Sequence, residues 1–462
     1  MIGLTLDEII ESTRGHIYLK KGEVNFSDIN TDTRKIEPKS IFLALKGDNF
    51  NGNDFIEEAL KKGASLCILD EINFKKEDLL SKYNNFIIIK VENCKEALLK
   101  MAQYKREKSN IKVIGITGST GKTTTKDMMS AVLSSKFKVF KTKGNFNNHI
   151  GLPLMILQMD ESYEIAVLEL GMSNLNEIHN LAEVSKPDVA VITNIGLSHI
   201  ENLKSKDNIL KAKMEITDFF TKDNVLIINQ QDSMLSKINS KKFEIVRTSI
   251  SKDKSDFKAI NINLKESYSE FSLIYKGKDI GRISLPVPGV HNIENALLAI
   301  SCGYLMGIDI KQMVESLKAL EVSSMRLDII KGENIDIIND CYNSSPDSIK
   351  AAIDVQANLD KSRKVAILGT MKELGEYSRN AHKEIGGYAK DKGIDILVAV
   401  GEFSSEMAEG YNDEKNVFLF KNTNEAIKNI NKIIRKDDLV LVKASRSMKF
   451  ESIIEELKRI YN

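Results

Sequence analysis

Short apolar runs alternate with stretches of helical periodicity along the whole chain, a pattern that predicts α/β layers built on largely parallel sheets. No internal repeat or low-complexity tract interrupts it. The first section reaches residue 110, closing with a helix over Cys94 to Lys108 and a polar Glu-Lys-Ser-Asn linker. The second spans residues 111–324. It opens on a strand at Ile111 to Thr117 and continues with buried-type strands at Ile165 to Leu170 and Val189 to Thr193. Phe257 to Leu285 alternates as antiparallel strands do, and after the turn Pro286-Val-Pro-Gly289 a helix begins near Asn292.

The third section, residues 325–462, reads as a doubly wound unit, and its boundary with the second is placed near Ser323 to Met325. Strands are predicted at Ile335 to Asn339, Val365 to Leu368, Ile396 to Val400, Val417 to Phe420 and Leu439 to Val442. Asp340, Gly369, Gly401 and Lys443 follow four of them. Open α/β sheets bind ligands beyond the carboxyl ends of their strands, so these residues mark the edge where a site is expected.

A length of 462 residues agrees with several domains at roughly 100–200 residues each. The balance of 66 basic against 65 acidic side chains gives no global field for a polyanion, so nucleic acid is not an expected partner. No run is apolar enough to cross a bilayer, and the opening Met1-Ile-Gly-Leu-Thr-Leu-Asp lacks a basic segment followed by an apolar one. A cytoplasmic protein, without membrane insertion and monomeric, is the expectation. Cys67, Cys94, Cys302 and Cys341 are scattered without metal-ligand spacing and read as reduced, buried thiols.

The sharpest chemistry lies in Thr117-Gly-Ser-Thr-Gly-Lys-Thr-Thr124, between the strand at Val113 to Ile116 and a helical stretch from Lys126 to Leu133. Gly118, Ser119, Thr120, Gly121 and Thr124 would wrap backbone amides around an anion, while the helix N-terminus adds its partial positive charge. Lys122 would meet the β/γ-phosphates of ATP and the Thr123 hydroxyl a Mg²⁺ ion. The usual first glycine is replaced by Ile116, so Gly118 opens the loop. Two strand ends add Glu169, a metal-binding carboxylate or a solvated or capping one, and His199, a ligand or a structural imidazole. Lys213 shares a helical face with Ile209, Ile216 and Phe220. Such a lysine is either a snorkelling, ion-paired side chain or a neutral amine able to take up CO₂.

Together these motifs resemble the Mur ligase superfamily over essentially the whole chain. The likeness runs through Gly144-Asn-Phe-Asn-Asn148, Leu168-Glu-Leu-Gly-Met172, Asn194-Ile-Gly with His199, and Ala212-Lys-Met-Glu-Ile216. It continues through Pro288-Gly-Val-His-Asn-Ile-Glu-Asn-Ala296, Met325-Arg-Leu327, Asp340-Cys-Tyr-Asn-Ser-Ser-Pro346, Leu368-Gly-Thr-Met-Lys-Glu-Leu-Gly375 and Lys443-Ala-Ser-Arg446. The resemblance implies a three-domain Mur ligase architecture, with a sugar-nucleotide domain, a central P-loop ATPase-type domain and a C-terminal Rossmann-like domain. It implies MgATP, UDP-N-acetylmuramoyl-tripeptide and D-alanyl-D-alanine as reactants. Lys122, Glu169, His199 and a carbamylated Lys213 would be catalytic, the last three holding magnesium with Thr123.

By the same resemblance His291, Asn292 and Asn295 lie by the adenine, Arg326 on the phosphates, Asp340 on the ribose, and Asn147 and Asn148 near the γ-phosphate. Substrate contacts fall on Thr33, Arg34, Lys46, Gly47, Tyr342, Asn343, Lys443, Ser445 and Arg446. The chain departs from the family pattern at Asn53 (usually histidine), Ser344-Ser345 (Ala-Asn), Thr370 (aspartate) and Ala444 (glycine). A sibling ligase adding one amino acid to a UDP-muramoyl or folate substrate, and a P-loop ATPase that drives a partner, are the alternative readings.

Overall fold

A computed structural model describes residues 2–251, 254–320 and 325–461. The predicted boundary segment at Ser323 and Ser324 lies outside the described residues. Among the described residues three large sheets follow one another along the chain.

The first is five-stranded, in the order His16–Lys21, Phe86–Lys90, Leu66–Leu69, Ile41–Leu43, Ile29–Asn30. All neighbours in it are parallel except the His16–Lys21 edge. Its last helix, Cys94–Lys108, starts on an Asn93 side chain that accepts from the Lys95 and Glu96 amides.

The central sheet has nine strands. Val139–Lys141, Ile165–Glu169, Lys112–Thr117, Val189–Ile192, Val225–Asn229, Glu244–Ser249 and Phe257–Leu264 run parallel, and Ser269–Tyr275 and Lys278–Leu285 close the edge antiparallel. Successive residues of its inner strands feed opposite cores. Ile114, Ile116, Ile165 and Val167 pack under the helices Lys122–Ser134 and Val290–Leu305, whereas Val113, Ala166 and Leu168 join the core on the other face. Burial on both faces is why these strands read as continuous apolar runs, without polar alternation.

The third sheet orders Asp328–Ile330, Asp336–Asn339, Asp438–Lys443, Arg363–Gly369, Ile396–Val400 and Val417–Phe420, parallel apart from its first strand. The antiparallel edge strand Asp328–Ile330 escaped the sequence reading because three residues are too few to show a period.

One helix differs from expectation. Ile209, Lys213, Ile216 and Phe220 share a face at helical spacing, but the α-helix is Lys206–Met214 and passes into a 3₁₀ turn at Glu215–Thr217. All four side chains are nevertheless buried, since a tightened last turn keeps successive apolar residues facing inward.

Candidate active site

The strand Lys112–Thr117 ends at the phosphate loop, and the helix Lys122–Ser134 begins on Gly121, whose φ of 79° is left-handed. Gly118 lies so close to Thr193 that a Cβ there would sit 1.8 Å from its hydroxyl. That close approach explains glycine at the loop's opening. Asn194, after the neighbouring strand, clamps the loop: its carbonyl accepts from the Ser119 amide (3.1 Å), its side-chain oxygen accepts from the Thr120 amide (2.9 Å), and its amide donates to Thr120 Oγ1 (2.8 Å). The Gly196 amide donates to Ser119 Oγ (2.9 Å), and Lys122 Nζ to the Gly118 carbonyl (2.7 Å). Burial, the largest influence, holds the Lys122 pKa below that of an ordinary lysine, against the nearby Glu169 carboxylate.

Glu169 is 2% exposed, and its Oε1 accepts no hydrogen bond among the described residues. Its nearest cation, Lys126, is 3.6 Å away and also reaches Asp127 (3.5 Å) and the Thr142 carbonyl (3.1 Å). A buried carboxylate oxygen so poorly satisfied is costly unless something else neutralises it. Lys213 presents the complementary problem. Its side chain is 1% exposed, and among the described residues its amine has neither a hydrogen bond nor an ion pair. Burial, then the charge of Lys122, keeps its pKa well below the usual lysine range.

His199 occupies a left-handed turn (φ 64°) just ahead of the short helix Ile200–Leu203. Its Nδ1 lies 2.5 Å from Oε2 of Glu373 in the third unit, near enough for an ion pair although the ring N–H is not aligned as a hydrogen bond. That contact outweighs desolvation and lowers the Glu373 pKa.

From the third unit, Arg326 stacks on Tyr342 at 4.4 Å from the ring centroid. Lys443, buried, donates to Asp340 Oδ2 (2.5 Å) and to the Asn343 carbonyl (2.9 Å), while Asp340 Oδ1 accepts from the Leu327 amide (3.2 Å). His291 has its pKa lowered to about 4 by burial, so its imidazole is neutral at physiological pH. Asn295 Oδ1 accepts from Thr125 (3.2 Å), and Asn292 donates to the Pro288 carbonyl (2.7 Å).

One cleft of about 590 Å³ collects these groups. Its lining includes Ser119 to Thr124, Asn147, Asn148, Glu169, His199, Lys213, His291, Asn292 and Asn295 from the central unit, and Arg326, Asp340, Tyr342, Asn343 and Lys443 from the third. Gly118, Ser445 and Arg446 do not line it. Ser445 instead accepts from the Lys372 amide (2.9 Å) and sits 3.2 Å from Ser344, and Arg446 pairs with Glu451. The predicted contacts of the first unit are also elsewhere. Arg34 shares the 3₁₀ turn Thr33–Lys35 with Thr33 and is tied to Asp32 at 2.8 Å, and Lys46, beside Gly47, is held by Asp70 (3.1 Å) and Glu71 (2.8 Å). A larger cavity, about 1330 Å³, opens at the opposite ends of the central strands around Lys105 and Ile165. None of the predicted groups lies in it, and parallel sheets keep their chemistry at the carboxyl ends.

Sequence reasoning passed over three residues of the cleft region. Lys126 carried a signal, a lysine one helical turn past Lys122 on the buried face. Asn194 and Glu373 lay inside quoted motifs, but nothing in one dimension shows that the first would clamp the loop or that the second would reach His199.

The donor set suits magnesium. Among the described residues no three His, Cys, Asp or Glu side chains converge on one point. Mg²⁺ in ATP sites takes only one or two carboxylates, with waters and phosphate oxygens completing six positions, and Glu169 with the Thr123 hydroxyl supplies that minimum.

Fold and site together define a nucleotide-dependent enzyme in which a phosphate loop on one unit is completed by a second unit. Comparison with known proteins then narrows the class. Residues 25–106 match the Mur ligase family catalytic domain, residues 116–303 the Mur ligase middle domain, and residues 325–446 the Mur ligase glutamate ligase domain. The chain is 37% identical over 99% of both sequences to the UDP-N-acetylmuramoyl-tripeptide–D-alanyl-D-alanine ligase of Bacillus subtilis, and 31% identical over 99% of both to the protein of that name in Escherichia coli. Its fold superposes on a crystal structure of MurF from Acinetobacter baumannii with a TM-score of 0.90, at 29% identity over 98% of each chain. The MurF ligase of Thermotoga maritima in complex with ADP gives 0.80, at 27% identity over 94% of this chain and 97% of that one. The chain belongs to the Mur ligase family, and it is an ATP-dependent ligase that forms a C–N bond.

Proposed function

We propose that this ligase adds D-alanyl-D-alanine to UDP-N-acetylmuramoyl-tripeptide in the synthesis of the peptidoglycan precursor. The observation that carries the reading is the single cleft in which the phosphate loop, Glu169, His199 and Lys213 face Arg326, Asp340 and Lys443 of the third unit.

Amide formation in water is uphill and a carboxylate is a poor electrophile. The terminal carboxylate of the tripeptide therefore attacks the γ-phosphorus of ATP, releasing ADP and leaving an acyl phosphate. Lys122 and the loop amides stabilise charge on the phosphoryl group in flight, and Thr123 and Glu169 would hold a Mg²⁺ ion that supplies further charge neutralisation there. The dipeptide amine then adds to the acyl carbon, loses a proton, and expels phosphate. Walls drawn from both units exclude water from the intermediate.

Three finer assignments belong to the same reading. The unprotonated Lys213 amine combines with CO₂, giving a carbamate and releasing one proton, and that carboxylate would join Glu169, His199 and Thr123 around magnesium. A carbonyl resonance in ¹³C spectra after ¹³C-bicarbonate is added, absent in Lys213→Ala, tests it. Thr33, Arg34, Lys46 and Gly47 serve the UDP end, with domain limits at 1–110, 111–324 and 325–462. The enzyme works in the cytoplasm as a monomer, which cell fractionation and sedimentation check; among the described residues no helix is long and apolar enough to cross a membrane.

The deciding assay is phosphate release. The reading requires both UDP-tripeptide and D-alanyl-D-alanine for turnover. Steady release with neither acceptor would favour a partner-driving ATPase, and release with a single amino acid a sibling ligase.

A further inference from the structure

His199 and Glu373 come from different units of the fold, and both adopt left-handed backbone, with φ of 64° each. Side chains other than glycine rarely occupy that region, and strained positions of this kind persist where the surroundings over-determine them. Here the two meet. The Glu201 amide, on the helix that His199 opens, donates to the Glu373 carbonyl at 3.1 Å, and the Glu373 carboxylate approaches His199 Nδ1 at 2.5 Å. Two residues further on, Gly375 packs so tightly on Glu201 that a Cβ there would lie 3.2 Å from its Cγ. The main chain thus docks the segment, while the Glu373 side chain is free to act on the imidazole.

A carboxylate this close to Nδ1 favours the proton on that nitrogen, even without an aligned hydrogen bond, and so leaves the lone pair on Nε2. Carboxylate partners of this kind fix the ring's tautomer and orientation and raise its basicity as a ligand. His199 lines the cleft that also holds Glu169, Lys213 and the Thr123 hydroxyl. We propose that Glu373 is a positioning residue: reaching from the third unit, it orients His199 so that the cation end of the cleft is complete only when that unit is docked. Docking of the third unit then strengthens metal binding through this one side chain. Phosphoryl transfer waits until the nucleotide residues Arg326 and Asp340 and the substrate residue Lys443 of the third unit are in place. The inference rests on the phosphate-loop reading and adds to it the coupling between the two units.

The test measures Mn²⁺ binding by water-proton relaxation in the full chain with ADP, where no turnover occurs, for the wild type, Glu373→Gln and Glu373→Ala. X-ray scattering on the same samples reports docking. The expected result is a Mn²⁺ dissociation constant raised about tenfold or more in Glu373→Ala. Glu373→Gln, which keeps a hydrogen-bonding oxygen, should fall between the two, and all three should give the same docked scattering profile because the Glu201–Glu373 contact is main-chain. Unchanged Mn²⁺ affinity in Glu373→Ala overturns the inference. So does a loss of affinity accompanied by loss of the docked profile, since Glu373 would then be a docking contact alone. If the wild type with ADP binds no Mn²⁺, the phosphate-loop reading itself falls, a result separable from either of the others.

Discussion

Replacing Lys213 with methionine should make this protein more stable and inactive at once. The lysine is 1% exposed among Ile209, Ile216 and Phe220, and its amine has no partner among the described residues. Methionine follows the same path with nearly the same length, so no cavity of consequence opens. A donor at the cleft wall without a protein partner costs at most the ~1–3 kcal/mol of a fully buried one, and its removal should return part of that near neutral pH. In a melting experiment on a unit of this size, that is ~2–4 °C for each kcal/mol.

The pH dependence distinguishes this cause from general repacking. Burial holds the folded-state pKa of Lys213 well below the usual lysine value, whereas in the unfolded chain it is about 10.4. Between those two values the unfolded state binds a proton that the native state does not, so wild-type stability from this group falls as pH falls and recovers as pH rises. The methionine variant has no such term. Its advantage should be largest near neutrality and fade toward about pH 10. Calorimetry in CO₂-free buffers across that range measures it directly. Bicarbonate with Mg²⁺ should then stabilise only the wild type. A methionine variant less stable than wild type at neutral pH, or an advantage independent of pH, would refute the argument.

Gly118→Ala places a methyl group 1.8 Å from Thr193 Oγ1 at a φ of 151°, so the loop must shift; ATP affinity should drop about tenfold or more, read by fluorescence of a labelled nucleotide, and stability should fall by about 1–3 kcal/mol. Thr370 is buried with a hydroxyl that makes no hydrogen bond among the described residues, and Thr370→Val should be neutral or stabilising by up to about 1 kcal/mol in chemical denaturation; a loss above that would mean the hydroxyl has a partner. The four cysteines are buried, with thiol pKa values pushed up by desolvation to about 11 for Cys341 and about 12 for Cys94 and Cys302, and higher still for Cys67. Native protein should therefore react with Ellman's reagent far more slowly than unfolded protein, and alkylating agents should leave ligase turnover intact.

The sequence by itself determined what local rules control. Strands buried on both faces announce themselves as apolar runs, and Ile396–Val400 falls where the pattern put it; the edge strand Val417–Phe420, only partly buried, does so as well. The Gly-Ser-Thr-Gly-Lys-Thr segment needs only a preceding strand and a following helix to become a phosphate loop, and both were legible nearby. The family likeness likewise rests on motifs read in order. What the sequence left open was the condition of each buried charge. For Lys213 it offered two states, ion-paired or neutral. Only the tertiary structure, by burying that side chain with no ion pair or hydrogen bond among the described residues, removes the first.

The remaining decisions were also three-dimensional. Glu373 and His199 are far apart in the chain and meet only because two units dock, so no periodicity could join them. Ser445 and Arg446 looked equivalent to Lys443 in one motif, yet Lys443 is buried against Asp340 at the cleft while the other two turn to Lys372 and Glu451. Adjacent residues at a strand end leave in different directions, and which of them faces a ligand is set by the packing around the turn. A one-dimensional motif therefore names the chemistry available at this site, and the docking of the third unit on the central one decides which side chains perform it.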